Sequence, residues 1–361
     1  MNNSIYSVIA GTGNYIPSVL IRNTDFLSIE FYDSTGKKLE KQNQEIIDKF
    51  QEITTIEERR YVTDNLVTSD IACFAAIDAI KSANIDKEEL DYIIVAHNFG
   101  DVKNDNRRSD TVPSLAARVK YKLEIKNPST IAYDILFGCP GWLQGIIQAD
   151  YFIKSGDAKK ILVIGAEVLS RVSDPHDRDS MLYADGAGAA VLEARNCDHP
   201  IGVIGHKTRS DAFLYSRLLR MDKSYNPGDD DKKDNLFLKM NGRKLYQYAL
   251  ETVPQAIKDC LEKNKIHLKE IKNVLIHQAN GKMDEAILKR LYDLYNIVDI
   301  PKNVMPMTIK WLGNSSVATL PILLDLMLKG KLKTHQINKD DTLVFASVGA
   351  GMNVNTLIYR M

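Results

Sequence analysis

Three residue types able to do chemistry stand just ahead of helical patterns in this chain: Cys139, His277 and Asn314. Cys139 sits in Phe137-Gly138-Cys139-Pro140-Gly141-Trp142. The run 130–136 before it reads as a buried strand. Residues 141–155 after it carry apolar side chains at Trp142, Ile146, Ile147, Ala149 and Phe152, the spacing of a buried helix. A cysteine at a helix N-terminus meets unpaired N–H groups and the positive end of the helix dipole. Both stabilise a thiolate, so a pKa below the free value of about 8.5 is expected, and with it a nucleophile. Pro140 suits the first helical turn. Taken alone, such a cysteine is as well read as a core residue. His277 ends the apolar run 274–276 in His277-Gln278-Ala279-Asn280, at the sheet edge where α/β sites collect. Asn314 lies in Trp311-Leu312-Gly313-Asn314-Ser315-Ser316, which on its own reads as an N-cap for a helix from Val317. In Val348-Gly349-Ala350-Gly351 small residues allow backbone to approach a ligand, or make a tight turn.

The elements that must position these residues alternate along the chain. Strand-like runs fall at 5–11, 92–96, 130–136, 161–165 and 187–193, then at 201–204, 274–277, 342–347 and 353–359. Helical spacing falls at 69–83, 113–121, 141–155, 241–264, 283–294 and 317–328. This order predicts an α/β fold built mainly from βαβ units. The halves also look alike. The run from Tyr92 resembles that from Asn273, and the run from Ile161 resembles that from Thr342, at one common offset. A Gly-Ala-Gly at Gly186–Gly188 and again at Gly349–Gly351 precedes a closing strand, with a shorter loop in the second half. Repetition predicts duplication, with one half at 1–198 carrying the cysteine and another at 199–361 carrying His and Asn. Residues 31–49 read as a charged, partly helical insertion of unreadable role, and 226–234 as a solvated mixed-charge loop.

Composition excludes several classes. At 361 residues the chain can bury a large core. Lys+Arg 47 balances Asp+Glu 47, which gives no charge argument for nucleic acid or a membrane surface. Cys73, Cys139, Cys197 and Cys260 are widely spaced, so neither a disulfide framework nor a metal site is expected, and a reducing cytoplasm fits. Met1-Asn2-Asn3-Ser4 lacks a signal-peptide pattern, and no stretch approaches a membrane span.

In this order the motifs resemble the thiolase superfamily, and within it the β-ketoacyl-ACP synthase III-type condensing enzymes. The resemblance runs from Gly11-Thr12-Gly13-Asn14-Tyr15-Ile16-Pro17 through Glu57-Glu58-Arg59-Arg60, the Cys139 segment and Tyr183-Ala184-Asp185-Gly186-Ala187-Gly188-Ala189. It continues through Met240-Asn241-Gly242, His277-Gln278-Ala279-Asn280, Gly313-Asn314-Ser315-Ser316 and Gly349-Ala350-Gly351. It implies a duplicated thiolase-like fold of five layers, αβαβα, acting as a homodimer without a cofactor. Cys139 would take an acyl group from a thioester, its backbone N–H and that of Gly351 forming the oxyanion hole. His277 and Asn314 would stabilise the enolate left when a malonyl thioester loses CO2, and the carbanion would attack acyl-Cys139.

Departures from the family shape the expectation. Pro140 and Trp142 stand where many relatives have a small residue and Phe, and Thr54-Thr55-Ile56 replaces Thr-Gly-Ile. Ile53 stands where an Arg often contacts CoA, and Lys49 where a Trp often stacks on its adenine. This favours an acyl carrier protein as donor, with acyl-CoA kept as the alternative. Lys282, Lys289 and Arg290 keep the basic helix that docks that acidic partner in relatives, though such faces are commonly just solvated. Val112 aligns with a residue that crosses the dimer interface into the partner's acyl tunnel. A Glu there serves the head-to-head condensing branch, which Val disfavours. Three alternatives accompany this reading. One is a specialised ketosynthase of dialkylresorcinol or flexirubin-type lipid synthesis. The second is an acyltransferase forming esters or amides, and the third an idle partner subunit.

Overall fold

The computed structural model of the chain describes residues 4–228 and 235–361; Met1, Asn2, Asn3 and residues 229–234 of the expected charged loop lie outside them. The first half runs β1 (Ser4–Tyr15), β2 (Val19–Arg22), α1 (Asn43–Thr54), β3 (Glu58–Tyr61), α2 (Thr68–Ala83), β4 (Tyr92–His97), α3 (Leu115–Lys122), β5 (Ile131–Leu136), α4 (Gly141–Ser155), β6 (Lys160–Val168) and β7 (Asp185–Cys197). The second runs β8 (Gly202–Ser210), α5 (Ala212–Tyr215), β9 (Leu219–Asp222), β10 (Phe237–Met240), α6 (Gly242–Lys263), β11 (Ile271–Ile276), α7 (Gly281–Asp293), α8 (Ile309–Leu312), α9 (Thr319–Leu328), β12 (Thr342–Gly349) and β13 (Asn353–Arg360).

Two sheets of matching topology result. One has the order β1-β7-β6-β4-β5 and the other β11-β12-β13-β8. In each, a parallel pair (β4 with β6, β11 with β12) is followed by an antiparallel neighbour (β7, β13) and then by β1 or β8. Side-chain alternation sets the layers. Ile93 and Val95 of β4 pack outward on α2 and α3, whereas Ile94 and Ala96 pack inward on α4. On β11, Val274 and Ile276 face α6 and α7, whereas Leu275 joins α4 and α9 in the middle. The layers are thus α2/α3, sheet, α4/α9, sheet, α6/α7: the duplicated thiolase-like αβαβα arrangement. Each fully buried Leu or Ile of these faces contributes about 1.5–3 kcal/mol, so the alternation fixes the register firmly.

The two halves match with a corrected register. Tyr92 opposes Ile161, while Asn273 opposes Leu343 after a bulge following Ile271. Ile161 therefore corresponds to Leu343, one residue beyond the expected Thr342. Inward packing agrees, because Ile161 and Val163 share the middle layer with Leu343 and Phe345. Nor are the Gly-Ala-Gly segments equivalent. Gly186–Gly188 lies within β7, and Gly349–Gly351 forms the short turn from β12 into β13. That turn is far shorter than the β6–β7 connection, as expected. Residues 31–49 add a small apolar core of their own, with Phe31, Ile46, Ile47 and Met181 buried together. Helix α4 occupies the expected 141–155 and stops at Gly156, whose φ of 82° gives a left-handed cap donating to Ile153 and Phe152.

Candidate active site

Three chain segments converge where strands end. Cys139 follows β5, His277 follows β11, and the Asn314 loop runs between α8 and α9; all three residues line one cavity of about 890 Å³. Backbone contact brings the first segment to the β12–β13 turn. A Cβ on Gly349 would lie 2.4 Å from the Cys139 nitrogen, and one on Gly138 2.6 Å from the Ala350 nitrogen. No side chain fits at either position, and Gly138 also holds a φ of 68°. Ala350 lines the cavity, and Gly351 follows it with a φ of 77°.

His277 is held by its backbone N–H, which donates to Ala346 O at 2.8 Å. The fully buried Gln278 fixes the next turn. Its Oε1 accepts from Thr308 N and Ile309 N at 2.8 and 2.9 Å, and its Nε2 donates to Pro306 O at 2.9 Å. One amide thereby ties the histidine turn to the segment leading into Asn314. Asn280 caps α7, its Oδ1 accepting from Met283 N at 3.1 Å. Asn314 is pinned on both backbone sides, its N–H donating to Leu182 O and its carbonyl accepting from Ala184 N. Its side chain is no helix cap, as the sequence pattern had implied. Oδ1 accepts from Ser316 N at 2.8 Å, which leaves the NH2 end as the donor offered to the cavity.

The electrostatics correct one expectation and refine another. Cys139 is not an acidified thiol. Burial pushes it up to about 11, the negative charge of Glu167 adds to that, and a bond from Ser316 Oγ to Sγ at 3.3 Å opposes it. Its surroundings explain why the helix start fails to acidify it. Pro140 has no N–H and Gly141 N donates to Gly138 O, so neither position offers a donor to the sulfur, and burial outweighs the rest. Cys139 is half-buried by area, and the surface it retains faces the cavity. Burial also takes His277 down to about 4, so the imidazole is neutral near pH 7. Its Nδ1 is enclosed without a partner among the described residues, leaving Nε2 as the ring nitrogen to meet a ligand.

The remaining expected residues lie elsewhere. Lys282, Lys289 and Arg290 are exposed on α7; Lys282 comes 4.0 Å from Glu52, and Lys289 pairs with Asp293 at 2.7 Å. Val112 is 84% exposed. Ile53 and Lys49 of α1 line the cavity, as do Arg178, Arg220 and Arg243 from other segments. The sequence reading missed Asn98, Glu167 and Ser316. Asn98 Nδ2 donates to Glu167 Oε2 at 2.5 Å and to Ser316 Oγ at 3.2 Å. The signal for Asn98 and Glu167 was their position at the ends of strand-like runs, and for Ser316 its place in the Asn314 motif. Outside the cavity lining, Cys197, Asp198 and His199 bring ligand-type atoms within 4.8 Å of one another at the surface.

Comparison with known proteins agrees with this geometry. Residues 133–212 match the 3-oxoacyl-[acyl-carrier-protein (ACP)] synthase III family and residues 261–361 its C-terminal counterpart. The chain is 33% identical to β-ketoacyl-[acyl-carrier-protein] synthase III 1 of Vibrio cholerae, over 99% of this chain and 100% of that protein. It is also 33% identical to the synthase III of Ehrlichia ruminantium, over 98% and 99% of the two chains. The solved 3-oxoacyl-[acyl-carrier-protein] synthase III of Aquifex aeolicus is similar with a TM-score of 0.79 and 29% identity, covering 98% of this chain and 100% of that one. Cys139 lies inside the first matched segment, His277 and Asn314 inside the second, and the likeness extends end to end: the chain belongs to the 3-oxoacyl-[acyl-carrier-protein] synthase III family of condensing enzymes.

Proposed function

We propose that the protein is a β-ketoacyl-acyl-carrier-protein synthase III-type enzyme that loads an acyl group on Cys139 and condenses it with a malonyl thioester. The observation that carries this reading is the single cavity in which a thiol, a neutral imidazole and a free amide NH2 meet. In the first step Cys139 Sγ attacks the donor thioester, the thiol proton leaves with the departing carrier thiol, and acyl-Cys139 remains. In the second, the malonyl C–C bond breaks and CO2 departs. The enolate oxygen then takes hydrogen bonds from His277 Nε2–H and Asn314 Nδ2–H. A neutral imidazole donates without adding a proton to the substrate. The carbanion forms the new C–C bond, the oxyanion is held by the N–H groups of Cys139 and Gly351, and collapse expels Cys139 as thiolate, which regains a proton.

The donor is acyl carrier protein. The cavity flank carries Lys49 and Ile53 rather than an adenine-stacking Trp and an Arg, and Lys282, Lys289 and Arg290 give α7 an exposed basic face. The working form is a cytoplasmic homodimer divided into halves at residues 1–198 and 199–361. Edge strand β5 supports the dimer, since its Ile131 and Leu136 are 49% and 65% exposed, and Val112 of the same half is 84% exposed. The test is CO2 release from malonyl carrier protein in the presence of an acyl donor, with intact mass of the enzyme alongside. C139A should retain no acyl group and form no product. Acyl transfer to an alcohol or amine without CO2 release would overturn the proposal.

A further inference from the structure

Behind Cys139 lies a row of polar side chains that the condensation scheme leaves unused. Glu167, at the end of β6, is fully buried. It accepts from Asn98 twice, at Oε1 from the backbone N–H (3.3 Å) and at Oε2 from Nδ2 (2.5 Å). The second Nδ2 proton of Asn98 goes to Ser316 Oγ at 3.2 Å. Because that oxygen already accepts, the one hydroxyl proton of Ser316 is directed at Cys139 Sγ, 3.3 Å away. The same residue's backbone N–H orients Asn314 through Oδ1. Ser316 does this from a φ of 53°, a left-handed conformation that residues with side chains avoid unless their surroundings impose it.

We propose that Glu167, Asn98 and Ser316 are positioning residues that form one relay controlling the charge state of Cys139, with Ser316 as the hub that also sets the donor end of Asn314. The inference rests on the reading of Cys139 as the nucleophile. The relay applies two opposed influences. The Ser316 hydroxyl favours the thiolate, and its bond strengthens when condensation expels Cys139 as a leaving group. The Glu167 charge opposes the thiolate and keeps the resting thiol protonated. The other groups facing Cys139 are neutral near pH 7: His277, whose pKa burial takes to about 4, and Tyr183, which burial holds well above the usual phenol range. Glu167 itself is faced by His97 from β4 and Asp185 from β7, the latter held by Ser170 and Val62. Burial places Glu167 at about 7, so its charge varies across the physiological range.

The experiment is pulsed alkylation of the full-length protein by iodoacetamide across pH, read by intact mass, with unfolding midpoints for each variant. S316A should raise the alkylation midpoint and slow labelling at pH 8 roughly tenfold, the loss of one bond to a charged sulfur. E167Q keeps the shape and removes the charge, so its midpoint should fall. Should S316A fail to fold, S316G suits the left-handed backbone and carries the same expectation. Midpoints that coincide with the wild type, or that both move one way, would overturn the relay. Failure of the parent reading looks different: C139A would still accept an acyl group from a thioester.

Discussion

His97 and His277 stand one place apart at the ends of corresponding strands, β4 and β11, and they spend their hydrogen bonds differently. His97 is saturated. Gly100 N–H donates to its Nδ1 at 3.0 Å, so Nε2 carries the proton and donates to Asp134 at 3.0 Å. Asp134 in turn accepts from Leu115 N and Ala116 N, both at 2.7 Å, holding the start of α3. His277 has no such partner at Nδ1 among the described residues, and it lines the cavity. Duplication supplied the same strand end twice. In one half the histidine locks the fold, and in the other it is left free for a substrate. Glu167 and Gly349 repeat the contrast at the ends of β6 and β12, since the register makes them equivalent. A carboxylate reaches under the site in one half, and in the other a missing side chain admits the Cys139 backbone.

The sharpest way to break the comparison is to remove the free histidine. H277A and N314A should each slow condensation about 10²–10³-fold while Cys139 still takes up acyl groups, because each removes one donor to the enolate. The double variant should fall short of the product of the two effects, since both donors serve one oxygen. Mass-detected acylation beside CO2 release checks both. If H277A blocked acylation as fully as C139A, the imidazole would be the base that activates the raised thiol.

Removing the locked partner should do the reverse. D134A strips the acceptor from His97 Nε2–H and from two N–H groups of α3, a loss of about 2–4 kcal/mol in unfolding free energy. H277A, lacking a satisfied Nδ1 to lose, should change stability far less. Denaturant unfolding of the two variants at one pH measures both. Equal destabilisation would erase the distinction drawn between the two strand ends.

A smaller effect follows from charge. The pKa of His277 is about 4 when folded, against about 6.5 unfolded, so between those values the unfolded chain binds the extra proton. Its contribution to stability is complete above pH 6.5 and is lost as pH falls through 4. H277N should therefore lose less stability than the wild type between pH 6.5 and 4.5. A steeper loss would mean that the imidazole is protonated in the folded protein. Condensation by acyl-enzyme should likewise show no His277 titration from pH 6 to 8.

Much of this was legible in the sequence because apolar periodicity and burial share one cause. The β4 and β11 runs are short and apolar and stand between helical patterns, so strands covered on both faces follow, and the cysteine and histidine motifs mark strand ends that share an edge. What was not legible depends on neighbours distant in the chain. The low pKa expected of Cys139 left out its burial, and one donor it assumed free, the Gly141 N–H, is taken by the Gly138 carbonyl. The apparent common offset of the halves hid a bulge at β11, which only pairing with β12 reveals. Ser316 stood in a segment read as a cap because its sequence context is that of a helix start. Its tie to Asn98, far back in the chain, turns it toward sulfur.

The smallest effect concerns the surface. Lys289 already pairs with Asp293, and Lys282 lies at the limit of an ion pair with Glu52. Exposed pairs of this kind contribute at most about 1 kcal/mol, so removing them should leave the fold intact. If α7 docks an acidic carrier protein, K289A and R290A should raise KM for the carrier-bound substrate severalfold, with kcat unchanged. The difference from wild type should shrink as salt is raised, because rim charges act through encounter. The same variants assayed with a small thioester free of carrier should match the wild type. A loss with both substrates would place the effect in the cavity and remove α7 from the docking surface.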